Sequence, residues 1–113
     1  MHDLGIVYEV IKVVDQIAKE NQVTRVEKIV LEIGQLSQAI PRFILECYPA
    51  AVDETAYAET ALEIITVEAK GECHQCQTIF NIVAQRKVCP SCQSESFKII
   101  SGHEFNIKEI VAY

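Results

Sequence analysis

The chain contains, at residues 73–92, the stretch CHQCQTIFNIVAQRKVCPSC, in which two Cys-x2-Cys pairs are separated by twelve residues. Each pair is expected to form a tight turn that presents two sulfurs, and a hairpin between the pairs brings the two turns together. Four thiolates placed in this way suit a tetrahedral metal ion, and zinc is our first choice. The stretch therefore predicts a structural zinc site in a small zinc ribbon, with the ligands Cys73, Cys76, Cys89 and Cys92.

Two other interpretations of these cysteines stay open. One is a four-thiolate iron centre for electron transfer, because tetrahedral sulfur sites also suit iron. The other is a pair of disulfides, which is disfavoured because the N-terminus lacks the cationic start of a signal peptide and cytosolic thiols stay reduced. Chemistry at the zinc is disfavoured because four cysteines leave no open position for water. His74 is then a solvated turn residue, and Cys47 is a small core residue.

The cysteine stretch differs in charge from its flanks. Residues 70–100 contain four basic and two acidic side chains, whereas the whole chain of 113 residues has a formal net charge of −6. The flanks therefore carry the negative excess, and a chain this acidic is disfavoured as a nucleic-acid binder. No apolar run approaches the roughly 18–20 residues of a membrane span. We expect a cytoplasmic protein without a membrane span that does not bind nucleic acid.

The flanking segments predict an α+β body. Apolar residues at three- and four-residue spacing indicate helices, and alternation with period two indicates strands. The predicted elements are a helix over 3–21 with Asp3 as its N-cap, a strand over 24–33, a helix from Pro41 that is kinked or restarted at Pro49, and strands over 61–69 and 104–113. The last strand is not stable alone, so we expect it to pair with the two earlier strands.

The expected fold is α+β, with two helices on a three-stranded sheet and an inserted zinc-ribbon module with four cysteine ligands. Residues 1–69 and 101–113 form the predicted body, and residues 70–100 form the predicted ribbon. Within the ribbon, the apolar run 78–83 is expected to neighbour the run 97–100. A chain of this length suffices for one core and a small stapled unit.

The N-terminal dipeptide is a second candidate metal site. His2 directly precedes the predicted helix and offers its imidazole and its backbone nitrogen to one metal ion, with the amine of Met1 or the amide of Asp3 nearby. Nitrogen ligand sets in a square-planar arrangement suit Ni(II) or Cu(II). One histidine near a terminus is a weak motif by itself, and a residue of a disordered terminus is the other interpretation.

Taken together, these motifs resemble the HypA (and HybF) family of hydrogenase nickel-insertion proteins over essentially the whole chain. The matching segments are Met1-His2 with an acidic third residue, LEIGQLS at 31–37, residues 55–64, the CHQC and CPSC pairs, and SGHEFNIKEI at 101–110. Many ribbons share the cysteine pairs, whereas the N-terminal and closing segments are more specific. Asp3 stands where the family usually has Glu.

The resemblance implies a nickel metallochaperone. Family members bind nickel weakly through their N-terminal residues and carry zinc in the four-cysteine module. They act with a HypB-like GTPase to place nickel in the large subunit of [NiFe]-hydrogenase and, in some organisms, in urease, whose maturation proteins are further partners. Carried over to this sequence, His2 is the nickel ligand, Met1 and Asp3 are further candidates, and the four cysteines bind zinc. A monomer or a weak homodimer is expected.

Two other classes of function are weighed against the carrier. A zinc-ribbon adaptor that binds only proteins, without carrying nickel, shares every structural expectation. An enzyme is disfavoured because the sequence offers no nucleophile–base pair, no phosphate-binding loop and no open zinc position. Nickel binding by His2 separates the carrier from the adaptor.

Overall fold

The structure is a computed structural model that describes residues 2–113, the side chain of His2 excepted. Its elements are α1 (His2–Glu20), β1 (Val26–Gly34), α2 (Pro41–Val52), β2 (Ala61–Val67), β3 (Lys70–Cys73), β4 (Ile79–Asn81), β5 (Phe97–Ser101) and β6 (Phe105–Ala112). They form two three-stranded sheets, ordered β2-β1-β6 and β4-β3-β5. We call the first sheet with the two helices the body, and the second sheet with its loops the ribbon. None of the helices in the described residues is long and apolar enough to cross a lipid bilayer.

The body sheet contains the three strands that the sequence predicts, with β1 in the centre. β1 pairs in parallel with β2, from Lys28 opposite Ala61 to Gly34 opposite Val67. A parallel pair needs a long crossover connection, and the segment containing α2 supplies it. β6 pairs antiparallel with β1 on the other side. The last strand thus pairs with one of the two earlier strands, β1, and not with both, because β1 lies in the centre of the sheet. The expected α+β fold is confirmed.

One face of this sheet forms the body core together with both helices. Ile29, Leu31 and Ile33 of β1 are completely buried, because alternate residues of a strand point to the same face. The helices cover them with side chains that are buried at Val7, Val10, Val14 and Ala18 in α1 and at Ile44, Tyr48, Ala51 and Val52 in α2. Several of the α1 residues are β-branched and lower helix propensity. The helix is therefore stabilised mainly by this packing.

The start of α1 differs slightly from the prediction. Asp3 is predicted as the N-cap, but the helix begins at His2, so Asp3 lies in the first turn. An acidic side chain in the first turn still interacts favourably with the positive end of the helix dipole.

The second helix is continuous through its proline. α2 begins at Pro41 as predicted and extends to Val52 across Pro49. Of the two predicted outcomes at that residue, a kink or a restart, the restart is wrong, and the kink stays a prediction. Pro49 removes one backbone donor. Tyr48, just before the proline, and Ala51, two residues after it, are buried in the body core, and this packing holds the last turn in helical conformation.

The ribbon sheet is paired differently from the prediction. The runs 78–83 and 97–100 are predicted as neighbours, but β4 and β5 both pair with β3, which lies between them. The strand predicted over 61–69 ends at Val67, and β3 begins in the other sheet at Lys70. The sequence of β3, KGEC, combines a glycine with two charged residues, so no apolar alternation marks it as a strand.

The body and the ribbon are joined by hydrogen bonds that converge on Gln35, just after β1. Its backbone N–H donates to the carbonyl of Val67 at the end of β2 (3.0 Å). Its side-chain Oε1 accepts from the N–H of Ala69, just before β3 (2.8 Å), and from Nδ2 of Asn81 at the end of β4 (3.0 Å). One residue thus contacts both sheets, the body sheet through its backbone and the ribbon through its side chain.

Two glycines allow the backbones to cross at the same junction. The N–H of Leu36 donates to the carbonyl of Gly102 (2.7 Å), and the N–H of Gly34 donates to the carbonyl of Glu104 (2.8 Å). A Cβ atom on Gly34 would overlap the Gly102 carbonyl, and Gly102 itself has φ of +128°, a conformation that glycine adopts without strain. Larger residues at either position would force the two sheets apart.

Candidate metal centre

The first cysteine pair forms a tight turn between β3 and β4. The N–H of Cys73 donates to the carbonyl of Thr78 (2.9 Å), and the N–H of Gln77 donates to the carbonyl of Cys73 (3.0 Å). Gln77 has a left-handed backbone, with φ of 60°. The N–H of Gln75 donates to the Sγ of Cys73 (3.4 Å). The turn therefore reverses the chain while it holds the first sulfur through a backbone donor.

The second pair repeats this geometry. The N–H of Cys89 donates to the carbonyl of Ser94 (2.9 Å), and the N–H of Gln93 donates to the carbonyl of Cys89 (2.9 Å). Gln93 is also left-handed, with φ of 63°. In both turns the glutamine after the second cysteine donates its side-chain amide to the carbonyl of the residue after the first, at 3.2 and 3.3 Å. The two pairs are thus structural copies of one metal-binding turn.

The four sulfurs lie close enough together to bind one ion. All four Sγ atoms are within 4.8 Å of one another. The Sγ atoms of Cys73 and Cys92 are 3.5 Å apart, and those of Cys76 and Cys89 are 3.6 Å apart. Sulfurs bound to a tetrahedral zinc at about 2.3 Å are separated by roughly 3.8 Å, whereas a disulfide requires about 2.05 Å. The cysteines are all free, so the geometry fits a four-thiolate metal site and not two disulfides.

Hydrogen bonds within the cluster shift the thiol pKa values in opposite directions. The hydroxyl and N–H groups of Thr78 lower the pKa of Cys76 to about 6, and the N–H of Cys76 is the main cause of a lowered pKa at Cys73. At Cys92 the N–H of Ser94 also favours the thiolate, but the neighbouring sulfurs and burial together raise its pKa to about 12. Four thiolates this close repel one another, and a bound dication removes that repulsion.

The centre forms one wall of the ribbon core. One cysteine of each pair, Cys73 and Cys89, is buried, and the other is exposed. The buried sulfurs lie in a small cluster with Phe80 and Ile82. Phe80 also packs edge-to-face against Phe97, with ring centroids 5.6 Å apart. A metal bound here would hold the loops of the ribbon against its sheet.

The remaining candidates in the sequence lie outside this cluster. His74 is exposed, and its Nδ1 atom is 2.8 Å from Oγ of Ser96, which is the environment of a turn residue. Cys47 of α2 is partly buried against the body core. Both positions agree with the structural roles expected from the sequence.

Two of the three predicted nickel residues, His2 and Asp3, are in the first turn of α1. Met1 is outside the described residues, and so is the side chain of His2, whose backbone begins the helix. Asp3, in the first turn, is partly buried. Asp3 and the backbone of His2 belong to α1, whereas the four cysteines lie in the ribbon.

The end of α1 lies close to the end of the last strand. After α1 the chain turns into β1, and the N–H of Thr24 donates to the carbonyl of Tyr113 (2.9 Å), which places the end of α1 near the end of β6. α1 consequently runs antiparallel to β1 across the sheet.

Gln35 is the structurally important residue that sequence reasoning missed. Its segment stands out only for its family resemblance, and a polar residue after a strand-ending glycine is ordinary in a surface loop. Its contacts with Ala69 and Asn81 span 34 and 46 residues of sequence. No local pattern carries a signal for contacts at that distance.

The comparison with protein families gives a match over residues 1–112 to the family described as hydrogenase/urease nickel incorporation, metallochaperone, hypA. Among curated proteins, the hydrogenase maturation factor HypA of Dechloromonas aromatica is 34% identical over 110 residues, covering 97% of each chain. The protein of the same name from Crocosphaera subtropica is 36% identical and covers 97% of this chain and 94% of its own.

Two solved structures share the fold. The solution structure of a HypA protein has a TM-score of 0.69 at 24% identity, covering 100% of this chain and 97% of that one. The solution structure of the Ni metallochaperone HypA from Helicobacter pylori has a TM-score of 0.65 at 23% identity, covering 97% and 96%. The arrangement of helices and sheets described above is therefore a known one.

Proposed function

The chain belongs to the HypA family of nickel-incorporation metallochaperones of hydrogenase maturation, and we propose that it carries Ni(II) on its N-terminal residues to a [NiFe]-hydrogenase precursor. The observation that carries this proposal is the family match itself, which begins at the first residue and includes both cysteine pairs. The nickel site and the zinc site then have separate tasks in one chain.

In this proposal nickel is bound by the imidazole and backbone nitrogen of His2, with the amine of Met1 and the amide of Asp3 as further ligands. The start of α1 at His2 supports such a site. The first four N–H groups of a helix have no acceptor within the helix, so binding nickel through these amides breaks no helical hydrogen bond. A terminal site built from nitrogen ligands can also release its ion readily, as a carrier must.

The four cysteines are assigned the opposite task, that of holding a permanent zinc. A closed shell of four thiolates leaves no position for a substrate or water, and two of the sulfurs lie in the ribbon core. We assign zinc to a domain formed by residues 70–100, and nickel to a domain formed by residues 1–69 and 101–113. Iron satisfies the same geometry, and metal analysis of the purified protein separates the two ions.

The partners follow from the same role. They are a HypB-like GTPase, the large subunit of [NiFe]-hydrogenase and, where the organism has urease, its maturation proteins. The carrier works in the cytoplasm as a monomer or weak homodimer, and it has no catalytic site of its own. Nickel is its cargo, and zinc is its structural metal.

Isothermal titration of the full-length protein with NiCl2 tests the nickel site. The variant His2→Ala is expected to lose at least tenfold in nickel affinity, because it removes the imidazole from the ligand set. The matched control is His103→Ala, whose side chain is exposed, and its affinity should stay within twofold of the wild type. Equal nickel binding by wild type and His2→Ala would instead favour a zinc-ribbon adaptor without carrier activity.

The pH dependence of nickel binding is a second test of nitrogen ligation. Imidazole and amine nitrogens bind metal only after they lose a proton. Nickel affinity should therefore fall as the pH decreases below about 6.5, the ordinary pKa of histidine. Titrations at pH 7.5 and 5.5 measure this change, and equal affinity at the two values would contradict nitrogen ligands.

A further inference from the structure

An open apolar groove lies between α1 and β6 on the body. It has a volume of ≈ 510 Å³ and is lined mainly by Ile6, Val13 and Ile17 of α1 and by Phe105 and Ile107 of β6. Val13, Ile17 and Phe105 each keep 37–38% of their surface exposed. Single exposed apolar residues are common, but a concave group of them is typical of an interaction site.

The groove follows a row of α1 that starts at the proposed nickel ligand. The row consists of positions separated by four, seven and four residues, which is about one, two and one helical turns: His2, Ile6, Val13 and Ile17. These positions therefore share one face of the helix. His2 precedes Ile6 by four residues, or about 6 Å of helix. A protein that occupies the groove is therefore within reach of the nickel residues, a step that rests on the proposed function.

The charges around the groove favour a basic partner. Glu9 is the ionic side chain that lines it, and Glu20 continues the same row of the helix. Lys12, three residues after Glu9, lies beside it but about 100° around the helix from Val13. Lys19 is paired with Asp15 at 2.8 Å. The two charged residues of β6, Lys108 and Glu109, cancel each other.

A second copy of this chain fits the groove poorly. If two α1 helices packed antiparallel, Glu9 and Glu20 of both copies would lie in one interface. No Lys or Arg of the same helix row would neutralise these carboxylates. The whole chain also carries a net charge of −6, which makes self-association less favourable. A different protein that supplies Lys or Arg is the better match.

The edge of the sheet favours a helix as the occupant over an added strand. The register between β6 and β1 shifts between Val30 and Leu31, which leaves Lys108 as an extra residue of β6. A bulge and an exposed lysine on an edge strand both oppose pairing with another strand. A helix with apolar residues at i, i+4 and i+7 fits a groove of this shape.

From this placement we infer that the α1–β6 groove is the docking site for a basic amphipathic helix of the hydrogenase precursor that receives the nickel. Transfer requires the acceptor site to come against His2, and the groove holds the acceptor there. Its apolar residues fill the space beside Val13 and Ile17, and a Lys or Arg pairs with Glu9.

Binding of purified hydrogenase large-subunit precursor to the full-length carrier tests the inference. Val13→Glu and Ile17→Glu should each weaken binding at least tenfold, because both place a carboxylate in the apolar groove. The matched control is Leu45→Glu, since Leu45 is 44% exposed on the other helix, and it should stay within twofold. Glu9→Lys should weaken binding about fivefold, and Glu46→Lys on α2, also exposed, should not.

Each outcome of this experiment decides one point. Unchanged precursor binding by Val13→Glu and Ile17→Glu overturns the inference, and Val13→Ser replaces Val13→Glu if circular dichroism shows that the latter is unfolded. If these variants lose binding to the GTPase but not to the precursor, the groove is the GTPase site. If they convert a dimer to a monomer in sedimentation equilibrium, it is a dimer interface, and either result overturns the inference. Nickel titration of the wild type reports on the proposed function separately.

Discussion

The body and the ribbon of this protein are stabilised by different means. The body has a continuous core of apolar side chains from α1, α2 and the three strands. The buried cluster of the ribbon contains five residues, and two of these, Cys73 and Cys89, belong to the sulfur cluster. So small a core does not stabilise a unit by itself and needs a metal or disulfides. In the proposed function a metal in the ribbon is therefore part of the fold, whereas the body needs no metal to fold and is free to gain and lose its cargo ion.

The largest expected effect comes from removing a ligand of the ribbon metal. Cys89→Ser should abolish stable metal binding and unfold the ribbon, since structural zinc contributes roughly 10 kcal/mol to small metal domains. Amide resonances of β3, β4 and β5 should lose their dispersion in a 15N-HSQC spectrum while those of the body remain. The control Cys47→Ser changes a cysteine outside the cluster and should keep both sets. A ribbon that stays folded without metal would remove the distinction between the two regions.

A core substitution in the body should produce the converse effect. Ile44 is 1% exposed, and Ile44→Ala should lower the free energy of unfolding by about 2–5 kcal/mol, because it leaves a cavity. Urea denaturation followed by circular dichroism measures the loss. Leu45→Ala, at an exposed neighbouring position, should change stability by less than about 0.5 kcal/mol. Zinc content should stay the same in both variants, and loss of zinc from folded Ile44→Ala would mean that the two regions depend on one core.

A smaller effect is expected at the junction. Gln35→Ala leaves the N–H of the buried Ala69 without its acceptor, which should cost about 1–3 kcal/mol. It should also loosen the orientation of the ribbon relative to the body, because the bond to Asn81 is lost as well. Residual dipolar couplings measure that orientation. Gln38→Ala, in the same loop and exposed, is the control, and identical couplings in Gln35→Ala and the wild type would show that the junction does not depend on this side chain.

The smallest expected effect concerns acid stability of the body. Lys19 and the Tyr57 hydroxyl, which donates to Asp15 at 2.7 Å, lower the pKa of Asp15 below its usual 3.8. A carboxyl whose pKa is lower in the folded state stabilises the fold above the unfolded pKa, and this contribution is lost as the pH falls through the folded pKa. Tyr57→Phe should therefore reduce the difference in stability between pH 7 and pH 3. The exposed Tyr8→Phe should leave it unchanged, and an equal difference in both variants would contradict the role of Tyr57.

Sequence reasoning predicted those parts of the fold that depend on local patterns. The alternation around Ile29, Leu31 and Ile33 predicted the central strand, and the spacing of the cysteines predicted the sulfur cluster. Both signals are complete within a short segment of chain. The two helices were also predicted from a signal within a short segment, the three- and four-residue spacing of their apolar residues.

The parts that it missed depend on contacts between distant segments. β3 carries no apolar alternation and is a strand because β4 and β5 pair with both of its edges. Gln35 is recognisable as a junction residue only when Ala69 and Asn81 are next to it. At Pro49 the sequence predicts a kink or a restart of α2. The helix has no restart there because Tyr48 and Ala51 pack in the body core, and no local pattern predicts that tertiary contact.

The proposed difference between the two regions is that the body holds a releasable nickel ion and the ribbon holds a permanent zinc ion. It is tested most directly by loading the full-length protein with both nickel and zinc, dialysing it against a chelator such as EDTA, and measuring each metal over time by mass spectrometry. Nickel should be lost first, while about one zinc per chain remains. Simultaneous loss of both metals, or loss of zinc before nickel, would contradict it.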